Sequence, residues 1–210
     1  MSELSSVDRL NIIFFGEMEI PVDEKKRRIA FAKALQAVLW NYYDTIHTIL
    51  EISFSNDAES AIVPLAVAAA ALEREYKRLI EKYYPEVADI SPDWVIAHTR
   101  QFSVWTTQTC QNGDSRPIME QVTTAGRTEV NTVGNLALLL AAAEGGKRFK
   151  RWKTFGDSKV RPTHRESGGQ VVPIEKPFNV GGYSMMFPGD SSLGAPAQEI
   201  VNCRCSVEYF

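Results

Sequence analysis

The stretch L-L-L-A-A-A-E-G-G-K-R-F-K-R-W-K-T-F, from Leu138 to Phe155, separates two kinds of sequence. Before Gly145 and Gly146, apolar residues recur with the 3.6-residue period of a helix, and a glycine pair is typical of a helix end. After Gly146, glycine and proline recur every few residues, and alternation replaces the helical period. The change predicts an α+β fold, with an N-terminal helical region of about four helices followed by a small, irregular C-terminal α+β module.

The helical region extends back to Asp23, where a basic run ending at Arg28 is expected to form a solvated first part of the helix. Ser91 followed by Pro92 predicts a hydroxyl-capped start for the third helix. The apolar segment from Ala61 to Leu72 needs burial, which we expect partner chains to complete. The predicted helices run from Asp23 to about Phe54, from the turn at Asn56 and Asp57 to about Tyr83, from Ser91 to about Thr109, and from Pro117 to Gly145.

Asn112-Gly113-Asp114 interrupts the helical pattern and predicts a domain boundary. Residues 1–114 are the predicted helical N-terminal region, and residues 115–210 are a second domain of one helix and the β-rich module. At roughly 65 residues the module is too small to bury much by itself, so we expect it to pack on the fourth helix. Its predicted elements are strands at Arg148 to Phe155, Gln170 to Ile174, Tyr183 to Phe187 and Arg204 to Phe210, and a short helix at Pro162 to Glu166.

Composition narrows the class of protein. A net charge of −3 over 210 residues excludes a generally basic nucleic-acid coat. No signal-peptide pattern follows Met1 and the apolar stretches are too short to span a bilayer, so we expect a soluble, intracellular protein without membrane contact. In an extended strand the Cα atoms of Cys203 and Cys205 would lie about 6.5 to 7 Å apart, beyond the usual reach of a disulfide. Reduced thiols are therefore predicted.

Four motifs follow one another in the second half of the chain: R-T-E-V-N from Arg127, W-K-T-F-G-D-S-K-V-R-P-T-H from Trp152, Pro188-Gly189, and N-C-R-C from Asn202. In this order and spacing, the set resembles the signature of the phage Mu F-like head morphogenesis family, the minor head proteins of tailed phages. The resemblance covers roughly Val122 to Phe210. The residues of the resembled structural motif are Arg127, Thr128, Glu129, Trp152, Asp157, Arg161, His164, Asn202, Cys203 and Cys205.

The resemblance implies a structural minor head protein that associates with the portal and assists head morphogenesis, genome packaging or DNA delivery. Its implied partners are the phage portal protein and other head proteins, with further copies of this chain and genomic DNA as additional candidates. The implied location is the phage head in the virion, after assembly in the host cytoplasm. The resemblance implies no cofactor.

The spacing of Asp157, Arg161 and His164 is i, i+4 and i+7, so in a helical turn the three would share one face. Such a group would suit acid–base chemistry or phosphate binding, but the pattern favours a brace for an irregular loop. Arg127 and Glu129 lie on an otherwise apolar helix, and we predict that they tie it to the C-terminal module through buried pairs.

Enzymatic activity is the alternative interpretation of the same residues. A nuclease would use Asp157, Arg161 and His164, and an ADP-ribosyltransferase-like enzyme would use Arg127 and Glu129. The chain has no Gly-rich phosphate loop, no H-E-x-x-H motif and three histidines. We therefore predict that the protein is not an enzyme.

His164, Cys203 and Cys205 are residue types that bind zinc. A C-x-C pair in a strand holds its sulfurs further apart than a C-x-x-C knuckle does, and no fourth ligand is obvious. We therefore predict no metal, with the two cysteines as small buried residues on one face of the last strand; the three-residue metal site is the weaker alternative.

The run from Lys147 to Phe155 interleaves basic and aromatic residues. Phosphates attract cations and exposed bases stack on aromatic rings, which makes the run a candidate contact for DNA or an acidic portal surface. The alternative is an edge strand whose lysines prevent aggregation and whose Trp152 lies in the core. The candidate contact residues are Lys147, Arg148, Lys150, Arg151 and Lys153.

Overall fold

The computed structural model of the protein describes residues 11–56, 61–113 and 116–210. The chain divides into two compact units. The helical unit is continuous and comprises Lys33–Gly126, whereas the discontinuous unit combines the residues up to Ala32 with Arg127–Phe210. The predicted boundary between residues 114 and 115 lies outside the described residues, so the predicted domains stay a prediction.

Helices make up most of the described chain before Gly146. Residues 11–16 are helical, and the two acidic residues Asp23 and Glu24 lie in the first turn of the next helix, where they complement its dipole. Pro85 and Pro92 each occupy the first turn of a helix, a position where proline costs no hydrogen bond. The five helices that follow residue 21 are α1 (Val22–Asn56), α2 (Ile62–Tyr83), α3 (Pro85–Ile90), α4 (Pro92–Gln111) and α5 (Ile118–Glu144).

The four predicted helices are present, and every strand among the described residues follows Gly146, which confirms the α+β class. One short helix of this region was not predicted, and one predicted helix cap was wrong. Pro85 begins a separate short helix, α3, and Ser91 precedes α4 without the predicted side-chain hydrogen bond, while its backbone N–H closes α3 by donating to the Val87 carbonyl. Asp57, part of the predicted turn after α1, lies outside the described residues.

The helical unit has an apolar core to which α1, α2 and α4 contribute. Tyr76 on α2 packs edge-to-face against Phe102 on α4, with 5.1 Å between the ring centroids. The segment from Ala61 to Leu72 is only partly covered: Ala61, Leu65 and Leu72 are buried, whereas several other apolar side chains, such as Val63, are exposed. None of the described helices combines the length and apolarity needed to cross a membrane.

The C-terminal module contains two small antiparallel sheets. The first has the order β2-β1-β5, and the second pairs β3 with β4. Strands are found at all four predicted places but are shorter than predicted; α6 has the predicted bounds, and β3 and α7 were not predicted. The elements are β1 (Phe149–Lys153), α6 (Pro162–Glu166), β2 (Val171–Pro173), β3 (Phe178–Val180), β4 (Tyr183–Met185), α7 (Ala197–Ile200) and β5 (Ser206–Tyr209).

Trp152 of β1 lies at the centre of the module and is fully buried. Its ring meets that of Phe178 edge-to-face, with 5.3 Å between centroids. This cluster places the two sheets, α7 and the C-terminal cysteines around one core; its buried members are Trp152, Phe178, Val180, Met185, Ala195, Cys203 and Cys205.

Candidate functional site

One buried polar face of α5 holds the C-terminal module. Thr128, Asn131, Thr132 and Asn135 are three or four residues apart, so they lie on the same side of the helix. Thr132 Oγ1 donates to the carbonyl of Gly189 at 3.0 Å, and Asn135 Nδ2 donates to that of Pro188 at 2.7 Å. Closer to the N-terminus of α5, Asn131 Nδ2 donates to the Cys203 carbonyl at 3.0 Å, and Thr128 Oγ1 accepts a hydrogen bond from the Asn202 N–H at 3.0 Å. Three of the four sequence motifs therefore meet on α5.

Gly189 is required where it lies. Its φ of +93° belongs to the left-handed region, and a Cβ built there would come within 2.7 Å of Thr132 Oγ1. The Pro188-Gly189 motif thus allows the loop backbone to approach α5 closely enough for the hydrogen bonds of Thr132 and Asn135.

Arg28 of α1 completes the polar face from the other side. Its guanidinium donates to Glu24 Oε1 at 2.8 Å, to Asn131 Oδ1 at 2.5 Å and to Asn135 Oδ1 at 3.0 Å, and the side chain is fully buried. A Cβ on Gly134 would lie 2.5 Å from Arg28 Nε, so only glycine leaves room for the guanidinium. The prediction of a solvated Arg28 was wrong, because Glu24 and the two amides pair the charge in the interior.

Arg127 faces residues 11–16 rather than the C-terminal module. Its Nε donates to Asn11 Oδ1 at 3.3 Å, and its guanidinium lies 4.8 Å from the ring centroid of Phe14. Burial lowers the pKa of Arg127. The predicted partner was wrong for Arg127, while Glu129 is buried as predicted.

Asp157, Arg161 and His164 do not share a helical face. The helix α6 begins only at Pro162, and Arg161 has the extended backbone of a cap (φ −57°, ψ 148°), so the i, i+4 rule does not apply to Asp157. Asp157 instead forms a two-pronged ion pair with Arg204, with N···O distances of 2.8 and 2.7 Å. The hydrogen bond from Arg204 holds the pKa of Asp157 below its usual value.

Arg161 reaches a different partner, the backbone carbonyl of Val201, through its Nη2. Arg204 also covers the ring of Phe155, with 4.1 Å between the guanidinium carbon and the ring centroid. Each guanidinium therefore fixes one loop of the module, and neither contributes to a shared acid–base group.

His164, Cys203 and Cys205 form a buried cluster. Nδ1 of His164 lies 3.5 Å from both Sγ atoms. The cysteines are not in the last strand, because β5 begins at Ser206; they follow a turn at Asn202, whose φ is +55°. We expected the C-x-C spacing to hold the two sulfurs too far apart to share one partner. That expectation was wrong, since alternate residues of an extended segment point the same way and both sulfurs reach the same imidazole nitrogen. All three cysteines are reduced, as predicted.

The side chains of Cys203, Cys205 and His164 shift one another's pKa values. The hydrogen bond with Cys205, followed by burial, raises the pKa of Cys203, and the same bond lowers the pKa of Cys205. Burial lowers the pKa of His164, but the hydrogen bond and charge of Cys203 outweigh burial, so the pKa is raised. Of the two coupled thiols, Cys203 therefore holds its proton more tightly than Cys205 does.

Glu199 lies on the far side of the imidazole. Its Oε2 is 3.1 Å from His164 Nε2, an ion-pair distance without hydrogen-bond alignment, and it accepts a hydrogen bond from Thr163 Oγ1 at 2.8 Å. Nothing in the local sequence around Glu199 predicted this role, because 35 residues separate it from His164 along the chain and only the fold joins them.

The basic run from Lys147 to Phe155 is divided between surface and interior. Lys147, Arg148 and Arg151 are exposed. Lys150 is fully buried, donates from Nζ to the Met186 carbonyl at 2.7 Å, and has its pKa lowered by burial to about 8. Lys150 is therefore not a surface contact, since alternate residues of β1 face the core, and Lys153 is paired with Glu19 at 2.5 Å.

A family model described as "Phage Mu protein F like protein" matches residues 100–208, just over half of the chain. No curated protein and no solved structure matches the chain significantly. The matched range contains the polar face of α5, the Asp157 and Arg204 pair, and the His164 cluster.

Proposed function

The chain belongs to the phage Mu protein F like family, and from this membership we propose that it is a structural minor head protein of a tailed phage. Its proposed role is head morphogenesis at the portal, with genome packaging or delivery as the step that it assists, and its proposed location is the virion. The observation that carries the proposal is the family match over residues 100–208, because this range contains all of α5 and nearly all of the C-terminal module that α5 holds.

The hydrogen bonding of the motif supports a role through contact rather than catalysis. Asn131, Thr132 and Asn135 are bonded to the module's own backbone, and Asp157 is paired with Arg204. Catalytic groups need an open site in which they can meet a substrate. Polar groups that are satisfied internally instead fix the shape of a surface.

An exposed apolar face on α2 is the proposed contact with the portal. Ile62, Val63 and Val67 are 64%, 71% and 63% exposed. Apolar side chains clustered on a surface mark places where proteins bind one another. Beside this face, a groove of about 330 Å³ runs between α1 and α2, and Ala68 and Ala71 contribute small side chains to its wall. The groove offers space for an apolar side chain from the partner.

Co-expression with the cognate portal and capsid proteins tests the proposal. Purified particles should contain the chain, at a fixed ratio to the portal by quantitative mass spectrometry. The double variant Val63→Asp, Val67→Asp should lower that ratio at least tenfold while the isolated protein keeps its thermal midpoint, because both side chains are exposed.

The matched control is Lys77→Ala, which changes an exposed residue of the same helix, 45% exposed in its side chain. It should leave the ratio unchanged. A wild-type chain that stays a solitary monomer and never enters particles would contradict the proposed function.

Genomic DNA is a second candidate partner. It is favoured by the exposure of Lys147, Arg148 and Arg151, which lie close in sequence to the exposed ring of Phe149. Binding through these three cations should weaken with salt, with a log–log slope of about −0.9 for each phosphate contact. The triple alanine variant should lose this slope in a fluorescence-anisotropy titration, whereas an unchanged slope would exclude this surface.

A further inference from the structure

The cluster of His164, Cys203 and Cys205 has the composition and the placement of a metal site. One imidazole and two thiols supply three potential ligand atoms, all within 4.8 Å of one another. The three side chains are 1%, 2% and 2% exposed. They come from α6 and from the segment before β5, so a bound ion would cross-link two parts of the module that are distant in sequence.

The distances agree with tetrahedral zinc. With Zn–N near 2.05 Å and Zn–S near 2.3 Å, the N···S edge of a tetrahedral site is about 3.6 Å long. Both Nδ1···Sγ distances here are 3.5 Å. A neutral imidazole nitrogen has one lone pair or one hydrogen, so it can form only one well-directed hydrogen bond with the two sulfurs. A metal ion lying between all three atoms uses both sulfurs equally.

The surroundings of His164 also fit. Metal-binding histidines usually present their second nitrogen to a carboxylate, which fixes the ring orientation and strengthens the ligand. Nε2 of His164 lies 3.1 Å from Glu199 Oε2, and Thr163 holds that carboxylate oxygen at 2.8 Å. The nitrogen that faces the sulfurs is thus the one left for a metal.

Space and charge are compatible with an ion. A cavity of about 20 Å³ adjoins the three residues, with Phe155, Arg161 and Asn202 also in its wall. A volume of this size holds about one water molecule, which can serve as the fourth ligand. Two thiolates balance the charge of a divalent ion, so a loaded site is neutral and can remain buried.

We propose that His164 Nδ1, Cys203 Sγ and Cys205 Sγ bind one zinc ion in a structural site, with a water molecule as the fourth ligand and Glu199 as the group that positions His164. This proposal replaces the sequence-based expectation of no metal and is independent of the proposed head function. The ion fastens the C-terminal segment to α6, beside the braces that α5 supplies.

Elemental analysis of the full chain, purified under reducing conditions with zinc in the growth medium, is the first test. We expect about one equivalent of zinc. After removal of zinc by a chelator, added Co²⁺ should produce a sulfur-to-cobalt charge-transfer band and the visible absorption of tetrahedral cobalt. Wild-type protein with neither zinc nor these bands would overturn the proposal.

Variants identify the ligands. Cys203→Ser and Cys205→Ser should each lower zinc below about a tenth of an equivalent, and Glu199→Gln should weaken zinc binding about 10- to 100-fold. Cys110→Ser is the matched control, because Cys110 is a buried cysteine of the helical unit, and the zinc content of this variant should equal that of the wild type.

A thiol-reactive reagent provides a readout that does not require folded variants. In the wild-type protein two thiols should be protected while zinc is bound and should become reactive when it is removed. Equal protection with and without zinc, or full zinc content in the Cys203→Ser, Cys205→Ser double variant, would contradict the assigned ligands.

Discussion

Two buried threonines of the helical unit and the Arg28 network of the discontinuous unit show two different ways of satisfying a buried polar group. On α4 of the helical unit, the hydroxyls of Thr99 and Thr106 donate to carbonyls four residues earlier in the same helix, although the unit also has long-range bonds such as the one between Tyr42 and Thr107. In the discontinuous unit, Arg28 bonds to Asn131, 103 residues away, and Asn131 bonds to Cys203, 72 residues further on. Local bonds satisfy a buried group without selecting its neighbours. Long-range bonds are satisfied only when the correct segments meet, so they specify the fold.

The largest expected effect follows from removal of the buried charge. Arg28→Ala removes the guanidinium that donates to Glu24 Oε1 and to the amide oxygens of Asn131 and Asn135, which should lower the free energy of unfolding by about 3–5 kcal/mol. Denaturant titration monitored by circular dichroism measures this loss. Arg27→Ala is the control, since the Arg27 side chain is 40% exposed, and should change stability by less than about 1 kcal/mol. Equal effects would mean that the buried pairing of Arg28 contributes no more to stability than the partly exposed Arg27 does.

The helical unit should depend on apolar packing instead. Leu72 is 1% exposed, so Leu72→Ala should cost about 2–5 kcal/mol through lost burial and the cavity that remains. The exposed Val63 on the same helix is the control, and Val63→Ala should be nearly neutral. The two units need not unfold together, so the helical circular-dichroism signal and the fluorescence of a variant that retains only Trp152 among its four tryptophans should be followed separately. A loss confined to the Trp152 signal would contradict this assignment.

Lys150 gives the discontinuous unit a distinctive pH dependence. Burial lowers its folded-state pKa to about 8, below the value of about 10.4 in an unfolded chain. Between these values the unfolded state binds more protons, so the free energy of unfolding should rise with pH from about 8 to 10, by at most about 3 kcal/mol.

The variant Lys150→Met isolates this contribution, because other groups titrate in the same range. Denaturant titrations of both proteins at several pH values should show a rising wild-type curve relative to the variant. Parallel curves would mean that Lys150 is solvated in solution.

The smallest effect is expected at the sheet surface. Arg151 and Glu208 form a cross-strand ion pair at 2.8 Å, with side chains 44% and 47% exposed. Arg151→Ala should cost about 0.2–1 kcal/mol, and the loss should fall in high salt because the pair is screened. A larger loss of stability that does not change with salt would mean that the Arg151 and Glu208 pair behaves like a buried ion pair.

Local signals predicted the fold better than they predicted the site. Glycine, proline and periodicity act over a few residues, so the ends of α5 and both ends of α6 could be predicted from the sequence. The strand β3 and the helix α7 are three and four residues long, too short for any period to be visible.

The site depended on contacts that no local pattern contains. Arg28 belongs to a basic run whose other members are exposed or partly exposed. Its burial depends on Asn131 and Asn135, which are 103 and 107 residues away along the chain, together with Glu24 one turn earlier. In the same way, His164 could be recognised as unusual from its motif, but its position beside Cys203 and Cys205 depends on the turn at Asn202.

The sequence discontinuity of one unit sets an order of events during synthesis. Arg28 leaves the ribosome 103 residues before Asn131 and 107 before Asn135. At a synthesis rate of roughly 5–20 residues per second, the guanidinium waits about 5–20 s for its amide partners. Throughout that interval residues 11–32 have no completed unit to join, whereas the helical unit is already fully translated when Arg127 is added. A chain interrupted before α5 therefore exposes an unpaired N-terminal segment, which distinguishes unfinished copies from finished ones.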